Sequence, residues 1–539
     1  MKSFGTPVLT VFLALAAAAP ARAQGDSDLN RAERLEWFRD QGFGMFIHWS
    51  VDSQLGSVIS HSLVGASQDY LERFFNDLPK TFNPHKFDPQ DWAVLARLAG
   101  MRYVVFTTKH HSGFCMFDTA TTDFGIMHTP FHRDITAEVL NAFRAQGLAA
   151  GVYFSPDDFW WLYKNGKTMQ RLTPEVQPKA NPGLMEHDQA QVRELMTKYG
   201  KIDVLFFDGE AQGLRDLAWT LQPNVVVTRG ALETPEQYIP GVPLEGAWEA
   251  NLTMGTQWQY KPTNETYKSG GELIGTLIET RAKGGNLLLN VGPKPDGELP
   301  IEQEERLREV ALWMFINSEM IYGVRPWVVT NENDYWFTKK KNEDTLYVAV
   351  REPWRYGTWK DIILKTVRAT PQTEASVLGE SGQVLEYQPG VVPRTTWRQD
   401  EAGLHVRAMF AQRIYNDRRW PDPVVLKLTH VQPAIKPPKV LTGQARWNTA
   451  ERTATFQADI QDFGDSTGLQ AGFEYRRITG EDVHERTGAW TATPLAPKTA
   501  AGPYTATVSG LAPGTYEVRA VVKHPLLTFY GADRVLQVK

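Results

Sequence analysis

A chain of 539 residues exceeds what one hydrophobic core can hold, since cores stop growing near roughly 250 to 300 residues, so several domains are expected. Its 57 basic and 62 acidic residues leave a net charge of −5 with no long run of either sign, which argues against nucleic acid and anionic membrane surfaces as partners. A single cysteine, Cys115, excludes an intramolecular disulfide and reads as a packed small hydrophobe, while 17 tryptophans suit flat apolar platforms of the kind that stack on sugar rings.

In chain order, residues 1–23 read as a signal peptide. Lys2 precedes the apolar run VLTVFLALAAAA, and Ala21-Arg22-Ala23 forms a small-x-small cleavage site. Export to the periplasm or beyond the cell is expected, with Gln24 as the first mature residue. No later segment reaches the roughly 18 apolar residues of a membrane span.

Residues 24–325 alternate short β-rich runs with helical patterns, which predicts parallel strands joined by crossover helices. The strands are FGMFIHW, YVVFTTK, AAGVYFS, DVLFFDG, NVVVTRG and NLLLNVG. Helices show in DPQDWAVLARLAG, opening on Asp88 and Pro89, and in TAEVLNAFRAQG, closing on Gly147. No Gly-x-Gly-x-x-Gly turn follows the first strand, and reactive residues stand at several strand ends, so a (β/α) barrel is expected over an open doubly wound sheet. After the helix IEQEERLREVALWMFINSEMIYG the period switches to two in TLYVAVRE, DIILKTV, LHVRAMF and VVLKLTHV, which predicts an antiparallel β-sandwich over 326–432. Beyond the proline-rich joint VQPAIKPPKV, a last all-β segment, 439–539, carries YTATVSGLAPGTYEVRAVVKH, which resembles the late strand pair of a fibronectin type III domain.

In a (β/α) barrel the reactive residues converge at the carboxyl ends of the strands. Those positions hold His48, His110 and His111, Tyr153, Asp208 and Glu210, and Arg229. Two consecutive histidines can face one ligand only where the strand has broken into its loop, and Gly113 permits that break. Asp208, directly after VLFF, would be poorly solvated there and calls for chemistry or a firm partner. Glycosidic cleavage needs a second carboxylate, for which Glu233, Glu236 and Glu249 are the candidates.

Together GFGMFIHWS, RYVVFTTKHHSGF, GVYFSP, IDVLFFDGE and RAKGGNLLLNVGPKPDGELP make residues 36–325 resemble the α-L-fucosidases of glycoside hydrolase family 29. The resemblance implies an exo-acting, retaining hydrolase that releases terminal α-L-fucose from fucosylated glycans by double displacement. Asp208 would be its nucleophile and Glu236 its acid/base, with Glu233 the rival. His48, His110 and His111 would bind sugar hydroxyls, with Tyr153 and Arg229 near the nucleophile. Where family members carry a Glu-Trp pair in the loop after the first strand, this chain has Ser60 and His61; where they commonly have tryptophan two residues before the nucleophile, it has Phe206. The altered first loop leaves room for a hydroxymethyl group, so an α-L-hexosidase preferring L-galactose or L-glucose is the alternative, and a non-catalytic carbohydrate-binding relative the next. A zinc hydrolase using His48, His110 and Asp208 would place a His-x-His pair on the first strand, but Ser50 occupies the second position, so neither metal nor cofactor is expected.

Overall fold

The computed structural model describes residues 29–414, 422–479 and 488–539, so the predicted signal peptide lies outside the described residues. Seven parallel strands form the larger unit: β1 Phe43–Ile47, β2 Tyr103–Lys109, β3 Ala149–Phe154, β4 Val204–Phe207, β5 Val226–Val227, β6 Glu249–Thr253 and β7 Asn286–Val291. Their order is β5-β4-β3-β2-β1-β7-β6. The sheet curls into a barrel-like shell because the two faces of each strand enter different cores. Phe46, Val105, Tyr153, Phe206 and Leu288 form an inner cluster. Their neighbours Met45, Ile47, Val104, Phe106, Val152, Leu205, Phe207, Leu287 and Leu289 pack outward under the helices.

The helices start where their caps dictate. The Asp88 side chain accepts from the amides of Gln90 and Asp91 ahead of Pro89–Leu98, Asp134 caps Ile135–Ala145, and Ser269 with Glu272 forms a capping box on Gly270–Ala282. Two expectations need correction. The run NVVVTRG keeps only Val226–Val227 as strand, because the chain turns at Thr228, whose carbonyl accepts from the amides of Ala231 and Leu232. Glu249–Thr253, not among the expected strands, is a strand pairing with β7; its alternating Glu249, Asn251 and Thr253 hid it from a search for apolar runs.

Antiparallel strands follow. Leu346–Val350 lies between Tyr335–Lys340 and Val424–Pro433, and Val367–Val377 flanks the latter. A second sheet, Trp359–Leu364, Gly403–Met409 and Thr396–Asp400, shares a core of Phe337, Val348, Ile362, Leu364, Val406 and Leu426 with the first. The C-terminal unit pairs Lys439–Asn448, Thr453–Asp462 and Gly502–Ser509 in one sheet and centres another on Leu469–Arg477 and Gly514–Lys523. Among the described residues no helix is long and apolar enough to cross a membrane.

Candidate active site

The inner face of the shell continues past the strand ends, two residues at a time. Phe46 leads to His48, Phe206 to Asp208 and Leu288 to Asn290, so the three polar side chains inherit the inward direction of the aromatic and aliphatic residues before them. On β2 the register against β3 shifts between Thr107 and Lys109. That bulge sends Lys109 outward into a buried cluster with Asp188 at 2.8 Å and Asp158 at 3.2 Å, and turns the next residues toward the pocket. The chain then reverses at Gly113 (φ +85°), where a Cβ would come within 2.2 Å of Asp158 Oδ1. His110 and His111 therefore both reach the site, as the glycine predicted.

Asp208 is the centre of the network. The Tyr153 hydroxyl donates to its Oδ2 at 2.7 Å, Arg229 Nη1 donates to its Oδ1 at 3.1 Å, and His111 Nε2 stands 3.5 Å from Oδ2. Burial alone would push this carboxyl up, but the Arg229 charge, Arg171 and the Tyr153 hydrogen bond hold it well below the usual carboxylate range. The other end of the Arg229 guanidinium donates to Glu236 Oε2 at 2.6 Å, and its plane lies 4.7 Å from the Phe206 ring centroid. Phe206 in turn stacks on Tyr153, and Tyr153 on His110, each pair with centroids 5.5 Å apart. Glu236 is carried by a segment laid along β6, where the Asn251 amide donates to Pro235 O and the Gln237 amide donates to Asn251 O.

The histidines are neutral and oriented. His48 Nδ1 lies 2.7 Å from Asn290 Oδ1, whose own amide nitrogen donates to Trp258 O, so Nδ1 carries the proton and Nε2 is left as an acceptor. Ser60 Oγ accepts from the Ser112 amide at 2.9 Å and can donate to His110 Nδ1 at 2.8 Å, which leaves the proton of His110 on Nε2. His111 Nδ1 contacts Ser155 Oγ at 2.5 Å, and its buried Nε2 has no hydrogen-bond partner. Burial lowers His48 to about 4 and keeps His110 and His111 well below their ordinary value. His61 stands exposed at the rim, its ring 5.4 Å from that of His111.

Three expected candidates fall outside this cluster. Glu233 is exposed, its backbone bridged to Trp248. Glu210 accepts from the Gln212 amide in its own turn. Glu249 sits at the start of β6, the opposite end of the shell, where the Tyr103 hydroxyl donates to it at 2.5 Å and burial raises it to about 7. Sequence reasoning missed Arg171 and Asp157. Arg171 Nε donates to Asp157 Oδ2 at 2.7 Å and Nη2 lies 3.7 Å from Asp208 Oδ1, while Asp157 is also 3.5 Å from His111 Nδ1. No periodicity marks the loop that carries Arg171, but Asp157 follows the YFSP strand end and the strand-end rule could have found it.

Ligand atoms of His110, His111 and Asp208 lie within 4.8 Å of one another, a spacing that could hold a metal ion. Two guanidinium groups at 3.1 and 3.7 Å from Asp208 oppose a dication there.

Inward carboxylates, neutral imidazoles and an aromatic wall on a parallel shell agree with the family model described as α-L-fucosidase, which matches residues 12–319, over half of the chain. The chain belongs to the α-L-fucosidase family. It is a glycosidase of glycoside hydrolase family 29. Among curated family members it is 28% identical to the α-L-fucosidase of Branchiostoma floridae, over 69% of this chain and 90% of that one. It is 29% identical to the plasma α-L-fucosidase of Rattus norvegicus, over 65% and 84%. The solved α-L-fucosidase isoenzyme 1 of Paenibacillus thiaminolyticus superimposes with a TM-score of 0.59 at 28% identity, covering 74% of this chain and 98% of that chain. The Thermotoga maritima α-fucosidase, solved in complex with fucose, gives 0.58 at 26% identity, covering 73% and 96%.

Proposed function

We propose that this fucosidase-family glycosidase removes terminal α-L-fucose from fucosylated glycans with net retention, Asp208 attacking the anomeric carbon and Glu236 serving first as acid and then as base. The observation that carries the reading is one guanidinium, Arg229, holding both carboxylates at 3.1 and 2.6 Å. Carboxylates drawn together in this way favour the short spacing of retaining enzymes, roughly 5 to 5.5 Å, over the wider gap that admits a water in inverting ones. Asp208 stays ionised and so available as a nucleophile. Its consumption by glycosylation would release the Arg229 contact to Asp208 and leave Glu236 as the remaining carboxylate, placed to activate water. An acceptor on His48 and a donor on His110 suit sugar hydroxyls, and neutral imidazoles add no positive charge against an oxocarbenium-like transition state.

The first loop favours a second reading of the sugar itself. Ser60 is turned back toward His110 and Ser112, and His61 stands at the rim, so the space beside C5 could take a hydroxymethyl group as in α-L-galactosides. The C-terminal unit fits a fibronectin type III arrangement, with the Tyr516 hydroxyl donating to Ala512 O at 3.0 Å in the manner of a tyrosine corner. Bridges from Glu233 to Trp248 and Glu236 to Asn251 support closure of the shell into a barrel between β5 and β6. Export fits the N-terminal pattern and would be checked by sequencing the mature protein, expected to begin at Gln24.

The test is hydrolysis of p-nitrophenyl α-L-fucoside, α-L-galactoside, α-L-glucoside and β-D-galactoside by the wild type and Asp208→Ala. Fucoside turnover should fall by about 10⁴-fold in the variant, as for a lost nucleophile. A slow 2-deoxy-2-fluoro fucosyl fluoride should add one sugar to the peptide containing Asp208. Full activity in Asp208→Ala, or label on another residue, would remove the assigned role.

A further inference from the structure

A cavity of about 590 Å³ separates the β-sandwich from the C-terminal unit, large enough for a di- or trisaccharide. Its floor is Gly241–Pro243 and Lys283 of the parallel shell. Lys283 comes three residues before β7 begins, so the cavity opens at the amino ends of the strands, the end opposite Asp208. One wall is Trp327, Tyr335 and Trp336 from the sandwich; the other includes Tyr530 from the C-terminal unit. Tyr335, Trp336 and Tyr530 are partly exposed, and the Trp327 indole N–H is buried without a hydrogen-bond partner. Partly exposed aromatic rings with polar neighbours are what sugar rings pack against.

The charges in this cavity divide into two sets. Lys283 and Arg519 already pair, with Glu279 and Glu474, each at 2.6 Å. Lys365 and Lys523 are exposed at the rim and, among the described residues, have no carboxylate within ion-pair distance. Among the described residues lining the cavity the one acid, Glu332, is consumed by the amides of Lys365 and Thr366 at 2.7 and 2.8 Å. Two free ammonium groups beside aromatic rings recognise an anion attached to a sugar.

We propose that this cleft is a second carbohydrate-binding site, selective for an oligosaccharide bearing sulfate or carboxylate groups, that holds the enzyme on an acidic glycan while the distant active site works. The net charge of −5 gives the chain as a whole no attraction to a polyanion, so retention by one would report a local site.

The experiment is affinity electrophoresis of the full chain through gels containing a sulfated fucan, the same polymer desulfated, or dextran, alongside p-nitrophenyl fucoside turnover. The sulfated polymer should retard the wild type, and neither neutral polymer should match it. Lys365→Ala/Lys523→Ala, both at exposed positions, should weaken retention by about tenfold or more, two charge-assisted contacts being lost, with p-nitrophenyl fucoside turnover unchanged. Tyr530→Ala should weaken retention as well. Equal retardation of wild type and both variants, no retardation at all, or equal retention by sulfated and desulfated polymers would each overturn the proposal. Because binding is read directly, these results stand apart from whether fucose is the sugar cleaved.

Discussion

Around Asp208 the charges are arranged in a chain: Glu236, Arg229, Asp208, Arg171, Asp157, and then the His111 ring. Within it, burial raises Asp157 from 3.8 to about 6 against the pull of Arg171. Its folded pKa lies above the unfolded value, so the folded state gains stability at low pH that is lost as pH rises from about 4 to about 6, on the order of 2 to 3 kcal/mol for a buried group with a shift of this size. Asp157→Asn should flatten that part of the stability curve, measured by chemical denaturation at pH 4, 5, 6 and 7. The same ionisation gives Arg171 a full partner and relieves its hold on Asp208, so kcat/KM for a neutral fucoside should rise through pH 6 in the wild type. That inflection should be absent from Asp157→Asn; its survival would assign it to another group. Much of this centre was legible: His48 and Asp208 each follow an apolar run whose alternation fixes their direction, and His110 and Arg229 were marked by standing at strand ends, although a bulge and a turn rather than alternation aim them. Arg171 was not, because a residue delivered by an irregular loop leaves no period in the sequence.

At the scale of elements, the loop after β1 shows what a local departure can do. Ser60 adopts φ +59°, a left-handed conformation that side-chain-bearing residues rarely take, and its amide donates to the buried Asp52 at 2.7 Å. Its hydroxyl joins this loop to the end of β2 through Ser112 and His110. Ser60→Ala strands a buried amide and an imidazole nitrogen, at about 1 to 3 kcal/mol, and should raise KM as His110 loses its fixed tautomer. Ser60→Gly loses the same contacts but relaxes the backbone, so it should melt higher than Ser60→Ala by the equivalent of about 0.5 to 1 kcal/mol. Thermal unfolding and fucoside kinetics on the two variants check the order, and the reverse order would mean that the turn is unstrained. The apolar strands were readable from sequence because their runs are continuous. Strand β6 was not, with only Ala250 and Leu252 apolar between polar inward residues, and neither was the β2 bulge, which depends on pairing with a neighbour far along the chain.

Across the whole molecule, period-two patterning marked the antiparallel strands, but nothing local encodes where their sheets dock. The C-terminal unit packs Leu527 and Phe529 against the sandwich core, and Asp533 Oδ2 stands so near Gly241 that a Cβ there would come within 2.9 Å of it. These contacts lie at the amino end of the parallel shell, whereas every hydrogen bond to Asp208, Glu236 and the three histidines described above comes from the shell and its loops. Removal of residues 439–539 should therefore leave p-nitrophenyl fucoside turnover at 25 °C within about twofold while uncovering apolar surface on the sandwich. Each kcal/mol so lost should lower the melting temperature by about 2 to 4 °C for a cooperative unit of this size. The truncated chain is judged by circular dichroism and turnover together. A folded product without activity would show that the C-terminal unit acts on the catalytic end through the shell, and the separation of binding from chemistry between the two ends of the parallel shell would have to be abandoned.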